Sequence, residues 1–400
     1  MTDTLGQSQV IPYLLGLSKY GYQFVILSAE KKDNYIINKE VINSLLKNNN
    51  ILWYPIIYTK KPPVLSTLWD ILKLRVLSKK LHTKHNFQIV HCRSYITAFI
   101  GLYLKKTFGI KFIFDMRGFY ADERIDGNLW NNKFFIYRII YKYFKKKEVQ
   151  FLTTADYTIS LTNIGKNIIY NWKIFENFKP PIEIIPCCAD LELFSTKTIS
   201  NQFNNEFKIK YNVHDDDFII SYLGSIGTWY LLDEMLLFFK RLLLKKPNAK
   251  FLFITKDKPY NITNKAERFN IPVSKIIIVP AERNEIPSLL SLSKISVFFI
   301  KSVFSKKASS PTKLGEILGV GIPIICNSNV GDVDNIISSS GTGLIIDNFT
   351  DMEFDKAINN IDELLKIPKE IFFLTAQKTF SLQNGIDLYN NVYKKVLKQN

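Results

Sequence analysis

The chain has 400 residues, 46% of them hydrophobic and 22% charged, and a formal net charge of +17. This length is too great for one ordinary core and suits two domains, while the composition excludes an intrinsically disordered chain. The positive charge suits an anionic partner, such as nucleic acid, a phospholipid surface or a phosphorylated substrate. Codon usage that favours lysine would raise the charge as well.

The sequence indicates a cytoplasmic protein without a metal. It shows no charged-then-apolar leader and no apolar run of the roughly 18 residues that span a bilayer. Its four cysteines form no CxxC pair, and neither they nor the four histidines have the spacing of a metal site. We therefore expect reduced, structural cysteines and no bound metal.

Strand-like and helical stretches alternate along the chain, which predicts an α/β fold whose parallel sheets are covered by helices on both faces. The strand-like runs form two series, at 24–28, 51–57, 89–92, 111–115 and 157–161, and then at 218–223, 250–255, 276–279, 295–299, 322–326 and 344–346. Helical patterns separate the runs of the first series, at 8–19, 67–82, 98–108 and 134–147. Each series fits one Rossmann-like doubly wound domain.

The domain organisation follows from these two series. We expect an N-terminal acceptor-binding domain over residues 1–190, a linker over 191–216, a nucleotide-sugar-binding domain over 217–379, and a C-terminal helix at 380–400 that crosses back to the first domain. The polar stretch 196–207 identifies the linker. Ligands bind beyond the carboxyl ends of parallel strands, so two such domains would share a cleft. No strand precedes Gly6, so either the start codon is placed too late or the first strand of the N-terminal domain is missing.

The most informative segment spans residues 305–332, SKKASSPTKLGEILGVGIPIICNSNVGD. Ser310 is a favourable N-cap and Pro311 suits the first helical position, so the segment predicts a helix over 311–318. The N-terminus of such a helix binds anions through its free N–H groups and its partial positive charge.

Charged side chains surround this predicted anion site. Lys313 lies in the first turn, Lys306 lies upstream, and Glu316 follows Lys313 by three residues on the same face. A carboxylate one turn inside a phosphate-binding helix can accept hydrogen bonds from the two hydroxyls of a ribose, so the segment predicts a nucleoside diphosphate site. The alternative is a solvated Lys313–Glu316 pair on an ordinary surface helix.

The same segment resembles the donor-binding motif of glycosyltransferase family 4, whose members are retaining enzymes of the GT-B fold. In that family a Glu-x7-Glu motif precedes a small-Gly-x-Pro turn; Glu316 matches the second glutamate and residues 321–323 match the turn. Ala308 stands where the first glutamate usually contacts the donor sugar. The resemblance implies two Rossmann-like domains facing across a cleft. It also implies a nucleotide-diphosphate sugar as donor, a glycan or lipid-linked acceptor, and a role in surface polysaccharide or glycoconjugate biosynthesis.

Two Gly-rich stretches extend the resemblance. Residues 3–10, DTLGQSQV, resemble the turn that opens the first domain of the family, and residues 224–230, GSIGTWY, resemble its second Gly-rich loop. Many members clamp the diphosphate near that loop with an Arg and a Lys, which are replaced here. The resemblance implies a donor site formed by Gly6, Gln7, Gly224, Ser225, Gly227, Thr228, Trp229, Arg283, Lys306, Ser310, Pro311, Thr312, Lys313 and Glu316. The alternatives are an ordinary turn at 3–10 and core packing of Trp229, which is the commoner role of tryptophan.

Residues 114–124, FDMRGFYADER, follow a strand at the place where many relatives carry a histidine that touches the transferred sugar. Charged residues packed at the carboxyl end of a strand are usually functional. We therefore predict as catalytic residues Asp115, Arg117, Lys313 and Glu316, and as acceptor-binding residues His91, Arg93, Arg117, Glu123 and Arg124. Alternatively, Glu123 and Arg124 pair with each other, and His91 is a structural group.

The resemblance implies retaining hexosyl transfer without a metal, in which cationic side chains and helix N-termini stabilise the leaving diphosphate. Two basic, aromatic stretches at 68–84 and 133–147 have the character of amphipathic helices that lie on anionic lipid. An anionic membrane surface is therefore a second expected partner, on the inner face of the membrane. The alternative is an aromatic stripe that faces the core, with solvated lysines outside.

Other functions are compatible with parts of the sequence. A nucleotide-sugar 2-epimerase has the same architecture, but no well-placed carboxylate pair stands out. A family member that binds nucleotide without transferring a sugar is a further alternative, because Ala308 replaces a glutamate. The charge alone would suit a nucleic-acid-binding protein, but no helix-turn-helix, RNA-recognition or zinc pattern supports that function, so we expect no nucleic acid partner.

Overall fold

A computed structural model describes residues 1–62 and 64–398 and divides the chain into two compact units. The first unit comprises Met1–Pro186 and the C-terminal helix, and the second comprises Cys187–Ser381. Residues 191–216, which were predicted as a linker, therefore belong to the second unit.

The first unit alternates helices and strands. Its elements are α1 (Thr4–Gln9), α2 (Ile11–Ser18), β1 (Val25–Glu30), α3 (Lys32–Asn48), β2 (Leu52–Ile57), α4 (Leu65–His85), β3 (Ile89–Arg93), α5 (Tyr95–Phe108), β4 (Lys111–Asp115), α6 (Tyr120–Asp126), α7 (Phe135–Thr154), β5 (Tyr157–Ser160), α8 (Asn163–Tyr170), a 3₁₀ turn (Lys173–Phe175) and β6 (Ile182–Ile184). All strand pairings in this unit are parallel, as the alternating pattern predicts.

The strands of the first unit form two separate sheets. β1 pairs only with β2, whereas the other sheet has the order β3-β4-β5-β6. Within residues 1–62 and 64–398, no strand pairs with both β1 and β3. The division falls where the first strand was predicted to be missing, and residues 4–18 form two helices there instead.

The second unit contains one sheet of six parallel strands. Its elements are a 3₁₀ turn (Thr196–Thr198), α9 (Asn201–Lys210), β7 (Phe218–Leu223), α10 (Leu232–Lys245), β8 (Ala249–Ile254), α11 (Tyr260–Arg268), a 3₁₀ turn (Val273–Lys275), β9 (Ile276–Val279), α12 (Ile286–Ser291), β10 (Ile295–Phe298), a 3₁₀ turn (Phe304–Ala308), α13 (Thr312–Gly319), β11 (Ile324–Asn327), α14 (Val333–Ser340), β12 (Gly343–Ile346), α15 (Asp351–Asn359), α16 (Ile361–Leu364) and α17 (Lys369–Phe380). The strand order is β12-β11-β10-β7-β8-β9. β7 and β8 are buried along their whole length, which is why their sequences, FIISYL and AKFLFI, are mostly apolar.

The polar stretch that suggested a linker contains helix α9. The Ser200 side chain caps this helix by accepting a hydrogen bond from the Phe203 N–H at 3.2 Å. Phe207 on the inner face is buried, whereas Asn201, Asn205 and Lys210 are exposed. The high polarity of the segment therefore belongs to the solvated face of a surface helix.

The chain ends in helix α18 (Leu382–Lys398), which belongs to the first unit. Gly16 of α2 allows its close approach, since a Cβ at Gly16 would lie 2.2 Å from Ile386 Cδ1. Tyr389 and Tyr393 on the buried face of α18 contact side chains of β3 and β4. Among residues 1–62 and 64–398, no helix has both the length and the apolar character needed to cross a membrane.

Candidate functional site

Helix α13 begins one residue later than the sequence predicts. Pro311, and not Ser310, occupies the N-cap position, and Thr312 is the first helical residue. The Ser310 Oγ accepts a hydrogen bond from the Cys187 N–H at 3.2 Å. The prediction that Ser310 caps the helix is therefore wrong, and this serine ties the start of the second unit to the turn before α13.

The Lys313 side chain is buried between aromatic rings next to the Gly224 turn. Its Nζ lies 3.7 Å from the centroid of the Tyr230 ring and 4.1 Å from that of Tyr222. A Cβ added at Gly224 would lie 3.3 Å from this Nζ. Nζ has no hydrogen-bond partner in the part of the chain that the structure describes. Burial therefore lowers the pKa of Lys313 well below its ordinary value, and the Glu316 carboxylate opposes this shift only in part.

Glu316 lies one turn further along α13 and is paired with Arg283 from the loop after β9. The Arg283 Nη1 donates a hydrogen bond to the Glu316 Oε1 at 3.1 Å, and its guanidinium lies 5.0 Å from the Phe194 ring centroid. Burial raises the pKa of the Glu316 carboxyl above its usual value, and Arg283 and Lys313 partly reverse that shift. The alternative of a solvated Lys313–Glu316 pair does not hold, because both side chains are buried.

The loop after β7 bends around a carboxylate that sequence reasoning missed. Asp257, which follows β8, accepts hydrogen bonds from the Ile226 N–H at 2.6 Å and from the Ser225 Oγ at 3.4 Å. The Tyr222 hydroxyl donates to the Ser225 carbonyl. Gly224 has φ +108°, a conformation that side chains disfavour, and Gly227 and Thr228 are exposed at the tip of the loop.

A second lysine lies on the same side of this loop. The Lys306 Nζ is 3.6 Å from the centroid of the Trp229 ring, a cation–π contact. Trp229 is only half-buried, so it is not the core residue that its type would suggest. Ala308, at the position of the family's first glutamate, is buried and contributes no polar group.

Three of the residues predicted for the first unit, His91, Arg93 and Arg117, lie around Asp115 at the end of β4. This carboxylate is 1% exposed; its Oδ2 lies 3.3 Å from Arg93 Nη1 and accepts a hydrogen bond from the Tyr389 hydroxyl at 3.1 Å. Its Oδ1 lies 3.7 Å from Arg117 Nη1. Burial alone would raise the pKa of Asp115, but Arg117, His91 and Arg93 together hold it well below the usual carboxyl range.

The other predicted residues of the first unit have identifiable places. His91 Nδ1 lies 2.8 Å from the Tyr393 hydroxyl, and its Nε2 lies 3.7 Å from the Asp115 carboxylate, so both ring nitrogens face protein groups. Arg117 has the left-handed φ of +59°, which costs energy for a residue with a side chain and is common at functional sites. Glu123 and Arg124 lie on α6, where the Arg124 guanidinium is 4.8 Å from the Tyr120 ring centroid.

The predicted Gly-rich turn at residues 3–10 is a helix. Gly6 and Gln7 lie inside α1, and Asp3 caps this helix by accepting a hydrogen bond from the Gly6 N–H at 2.7 Å. A Cβ at Gly6 would lie 2.7 Å from the Met1 backbone, so this glycine serves close packing and not a phosphate loop. The prediction of a Gly-rich turn at Gly6 is therefore wrong.

Within the part of the chain that the structure describes, α13, β7 and neighbouring loops bring together the buried Lys313 amine, which has no hydrogen-bond partner there, the Glu316–Arg283 pair and Lys306 on the Trp229 ring. Such a set suits an anion next to a group with hydroxyls. Among residues 1–62 and 64–398, no group of three or more His, Cys, Asp and Glu side chains is arranged to hold a metal ion.

Residues 203–371 match the family model described as glycosyl transferases group 1. No curated protein matches the chain. Among solved structures, a glycosyltransferase from Rickettsia africae has a TM-score of 0.72 at 18% identity, with 99% of this chain and 97% of that chain covered. The two-domain fold of this chain is therefore of the GT-B type.

Two further structures share this fold. Sucrose-phosphate synthase from Thermosynechococcus elongatus has a TM-score of 0.68 at 13% identity, with 95% of this chain and 100% of that chain covered. HepE from Anabaena, solved in complex with UDP and glucose, has a TM-score of 0.67 at 11% identity, with 96% of this chain and 95% of that chain covered. At these identities the likeness concerns the fold.

Proposed function

We propose that this chain is a glycosyltransferase that takes its sugar from a nucleoside-diphosphate donor bound by the second unit. The observation that carries the proposal is the buried Lys313 amine beside the Gly224 turn, without a hydrogen-bond partner among the described residues. A buried polar group without a partner is costly, so such a group persists where a ligand completes it. The match of residues 203–371 to group 1 glycosyltransferases and the UDP bound by HepE support a nucleotide as this ligand.

The diphosphate is the part of the donor that suits Lys313. An anion at the Gly224 turn would accept a charge-assisted hydrogen bond from Nζ and would meet the N-terminus of α13. Lys306, which lies on the Trp229 ring, is a second cation close to this loop. We propose that these groups, together with Arg283, offset the charge of the leaving diphosphate in place of a metal ion.

The ribose suits Glu316. Its carboxylate accepts a hydrogen bond from Arg283, and carboxylate oxygens can accept several. In the proposed complex the two ribose hydroxyls donate to Glu316, and Arg283 keeps this carboxylate oriented. Ala308 leaves the sugar without the acidic contact that the family resemblance would supply.

In the proposed reaction the bond between the anomeric carbon and the diphosphate breaks, and a bond to an acceptor hydroxyl oxygen forms with retention. The acceptor proton passes to the departing diphosphate. We propose that the first unit binds the acceptor, a glycan or a lipid-linked glycan of surface polysaccharide or glycoconjugate biosynthesis. Its Arg93, Arg117 and Arg124 side chains lie at the carboxyl ends of β3 and β4 or on α6, which follows β4, where acceptor groups are expected.

The test is to incubate the purified chain with a panel of nucleotide sugars, with and without lipid-linked and free glycan acceptors, in the presence of EDTA. We expect acceptor-dependent release of nucleoside diphosphate from at least one donor. Formation of a C2 epimer without acceptor would instead identify an epimerase. Binding of nucleotides with no turnover on any acceptor would identify a protein that binds nucleotide without transferring a sugar.

Replacing Glu316 with glutamine should specifically weaken recognition of the ribose. In the unmodified chain a 2′,3′-dideoxy nucleoside diphosphate should bind about 100-fold more weakly than the ribonucleotide, because two hydrogen bonds to a charged group, each worth about 1.5 kcal/mol, are lost. In Glu316→Gln this discrimination should largely disappear. Calorimetric titration measures both affinities. Glu282→Gln, an exposed carboxylate beside Arg283, is the matched control and should keep the discrimination. Equal discrimination in Glu316→Gln and the unmodified chain would contradict the assignment.

Donor binding should take up a proton at Lys313. Burial lowers the pKa of the free amine, and a neighbouring diphosphate would raise it again. In the pH interval between these two values, each bound nucleotide should take up close to one proton, and affinity should fall as the pH rises through the interval. Titrations in buffers of different ionisation enthalpy measure this uptake. If the Lys313→Met variant takes up the same number of protons per bound nucleotide as the unmodified chain, the proton binds at another group.

A further inference from the structure

Helix α4 carries apolar side chains on its outward face as well as on its inward face. The buried inward face contains Leu74 and Leu81 together with Ser66, Asp70 and Ser78. The Asp70 carboxylate accepts two hydrogen bonds on this face, from the N–H and from the hydroxyl of Thr59. The outward face exposes the apolar side chains Leu65, Leu68, Trp69, Leu72 and Val76, each more than half exposed. Their spacing of three and four residues places them on one continuous stripe.

Helix α7 exposes a second apolar group at its N-terminal end. Phe135 is 69% exposed, and Phe134, Ile136 and Ile139 are also exposed. The alternative of an aromatic stripe that faces the core therefore fails for this half of the helix, although Phe151 and Leu152 at its other end are buried.

Both exposed groups belong to the same layer of helices. α5 and α7 connect neighbouring strands of the β3-β4-β5-β6 sheet in the same direction, so right-handed crossovers place both helices on one face of that sheet. Their contacts agree, since Arg75 of α4 lies 4.0 Å from the Tyr103 ring of α5, and Phe99 of α5 stacks on Tyr143 of α7. Ile42 of α3 packs with Ile26 of β1, whereas Leu74 of α4 packs with Leu27. Successive residues of a strand point to opposite faces, so α3 lies on the other face of this sheet from α4.

The exposed charged side chains of α4 and α7 are basic. Exposed basic side chains flank the apolar groups, at Arg75, Lys79, Lys80 and Lys84 of α4 and at Arg138, Lys142 and Lys146 of α7. The acidic residues of the two helices, Asp70 and Glu148, are buried and paired with Lys73 and Lys145. A second copy of the same face would bring like charges together, and a nucleic acid would leave the apolar groups in water.

We propose that the outer face of α4 and the N-terminal half of α7 docks on an anionic lipid bilayer, with the Leu, Trp, Phe and Ile side chains in the headgroup region and the basic side chains on the phosphates. An exposed apolar surface rimmed by basic residues gains from both burial and charge in this setting. The proposal concerns the first unit and does not depend on the identity of the donor.

Vesicle flotation of the full chain tests this proposal. We expect binding to vesicles of phosphatidylcholine with phosphatidylglycerol and little binding to phosphatidylcholine alone. The triple variant Leu68→Ser, Trp69→Ser, Leu72→Ser should lose about tenfold or more in vesicle affinity. Lys79→Gln with Lys80→Gln should lose a similar factor at low salt and less at high salt.

The matched control lies on α3, which exposes Ile36, Ile37 and Val41 to a similar extent. Ile36→Ser, Ile37→Ser, Val41→Ser should bind vesicles like the unmodified chain. All of these side chains are exposed, so thermal unfolding should confirm that each variant folds. The proposal would be overturned if the chain did not bind anionic vesicles or if the α3 variant lost as much vesicle affinity as the α4 variant. Self-association through α4 in place of lipid binding would also overturn it.

Discussion

Replacing Lys313 with methionine is expected to weaken nucleoside diphosphate binding by about 100-fold. The change removes one charge-assisted hydrogen bond to a phosphate in a buried site, worth about 2–3 kcal/mol, while the methionine side chain still fills the space between the Tyr222 and Tyr230 rings. The free variant should unfold at the same or a higher temperature than the unmodified chain, because a desolvated amine without a partner among the described residues has been removed. Calorimetric titration and thermal unfolding measure the two effects.

Weaker nucleotide binding together with unchanged or higher thermal stability would indicate that Lys313 has a binding role and not a structural one. Lys307→Met is the matched control, since Lys307 is exposed and lies six residues upstream. This variant should bind within about twofold of the unmodified chain. A Lys313→Met variant that binds nucleotide normally would refute the assignment of Lys313 to the phosphates. A variant that loses stability and binding together would indicate that Lys313 supports the fold.

Replacing Asp115 with asparagine is expected to lower the free energy of unfolding by about 3 kcal/mol. The carboxylate is 1% exposed and lies among Arg93, Arg117 and His91, and removing one partner of a buried ionic cluster leaves the other charges uncompensated. Chemical denaturation measures the loss. Asp215→Asn, which removes a carboxylate 92% exposed beside Lys208, should produce no measurable change.

The pH dependence of stability distinguishes this ionic role from simple packing. Because the folded pKa of Asp115 lies below its ordinary value of 3.8, its stabilisation is present at neutral pH and is lost as the pH falls below that ordinary value. The difference in stability between the unmodified chain and Asp115→Asn should therefore shrink as the solution is acidified. A constant difference would show that the charge of Asp115 contributes little. The contacts of Asp115 with Arg93 and Arg117 indicate that it positions these two side chains. Its catalytic role stays a prediction.

The fold could be predicted from the sequence because local patterns and tertiary structure agree. Lys111–Asp115, Phe218–Leu223 and Ile276–Val279 were predicted to the residue, since buried parallel strands are short apolar runs bounded by turns. Helix α9 was missed because polar residues suit both a linker and the outer face of a surface helix. The helix at residues 4–9 was missed because a Gly-rich pattern was interpreted through a family resemblance and not through its local capping by Asp3.

The candidate site could be predicted only in part. Lys313, Glu316, Arg283 and Lys306 were identified because charged residues near a helix start and near strand ends carry a local signal. Tyr222 carried none, because a tyrosine in the run FIISYL resembles any core residue until the fold brings it against Lys313. Asp257 did have a signal, since it follows β8 at the same sheet edge as Gly224 follows β7.

A crystal structure of the full chain soaked with a nucleoside diphosphate tests the central claim most directly. We predict a phosphate oxygen within hydrogen-bonding distance of the Lys313 Nζ and both ribose hydroxyls on the Glu316 carboxylate, with Arg283 still in contact. Nucleotide density elsewhere, with Lys313 still enclosed by its tyrosines and touching no ligand, would contradict the account.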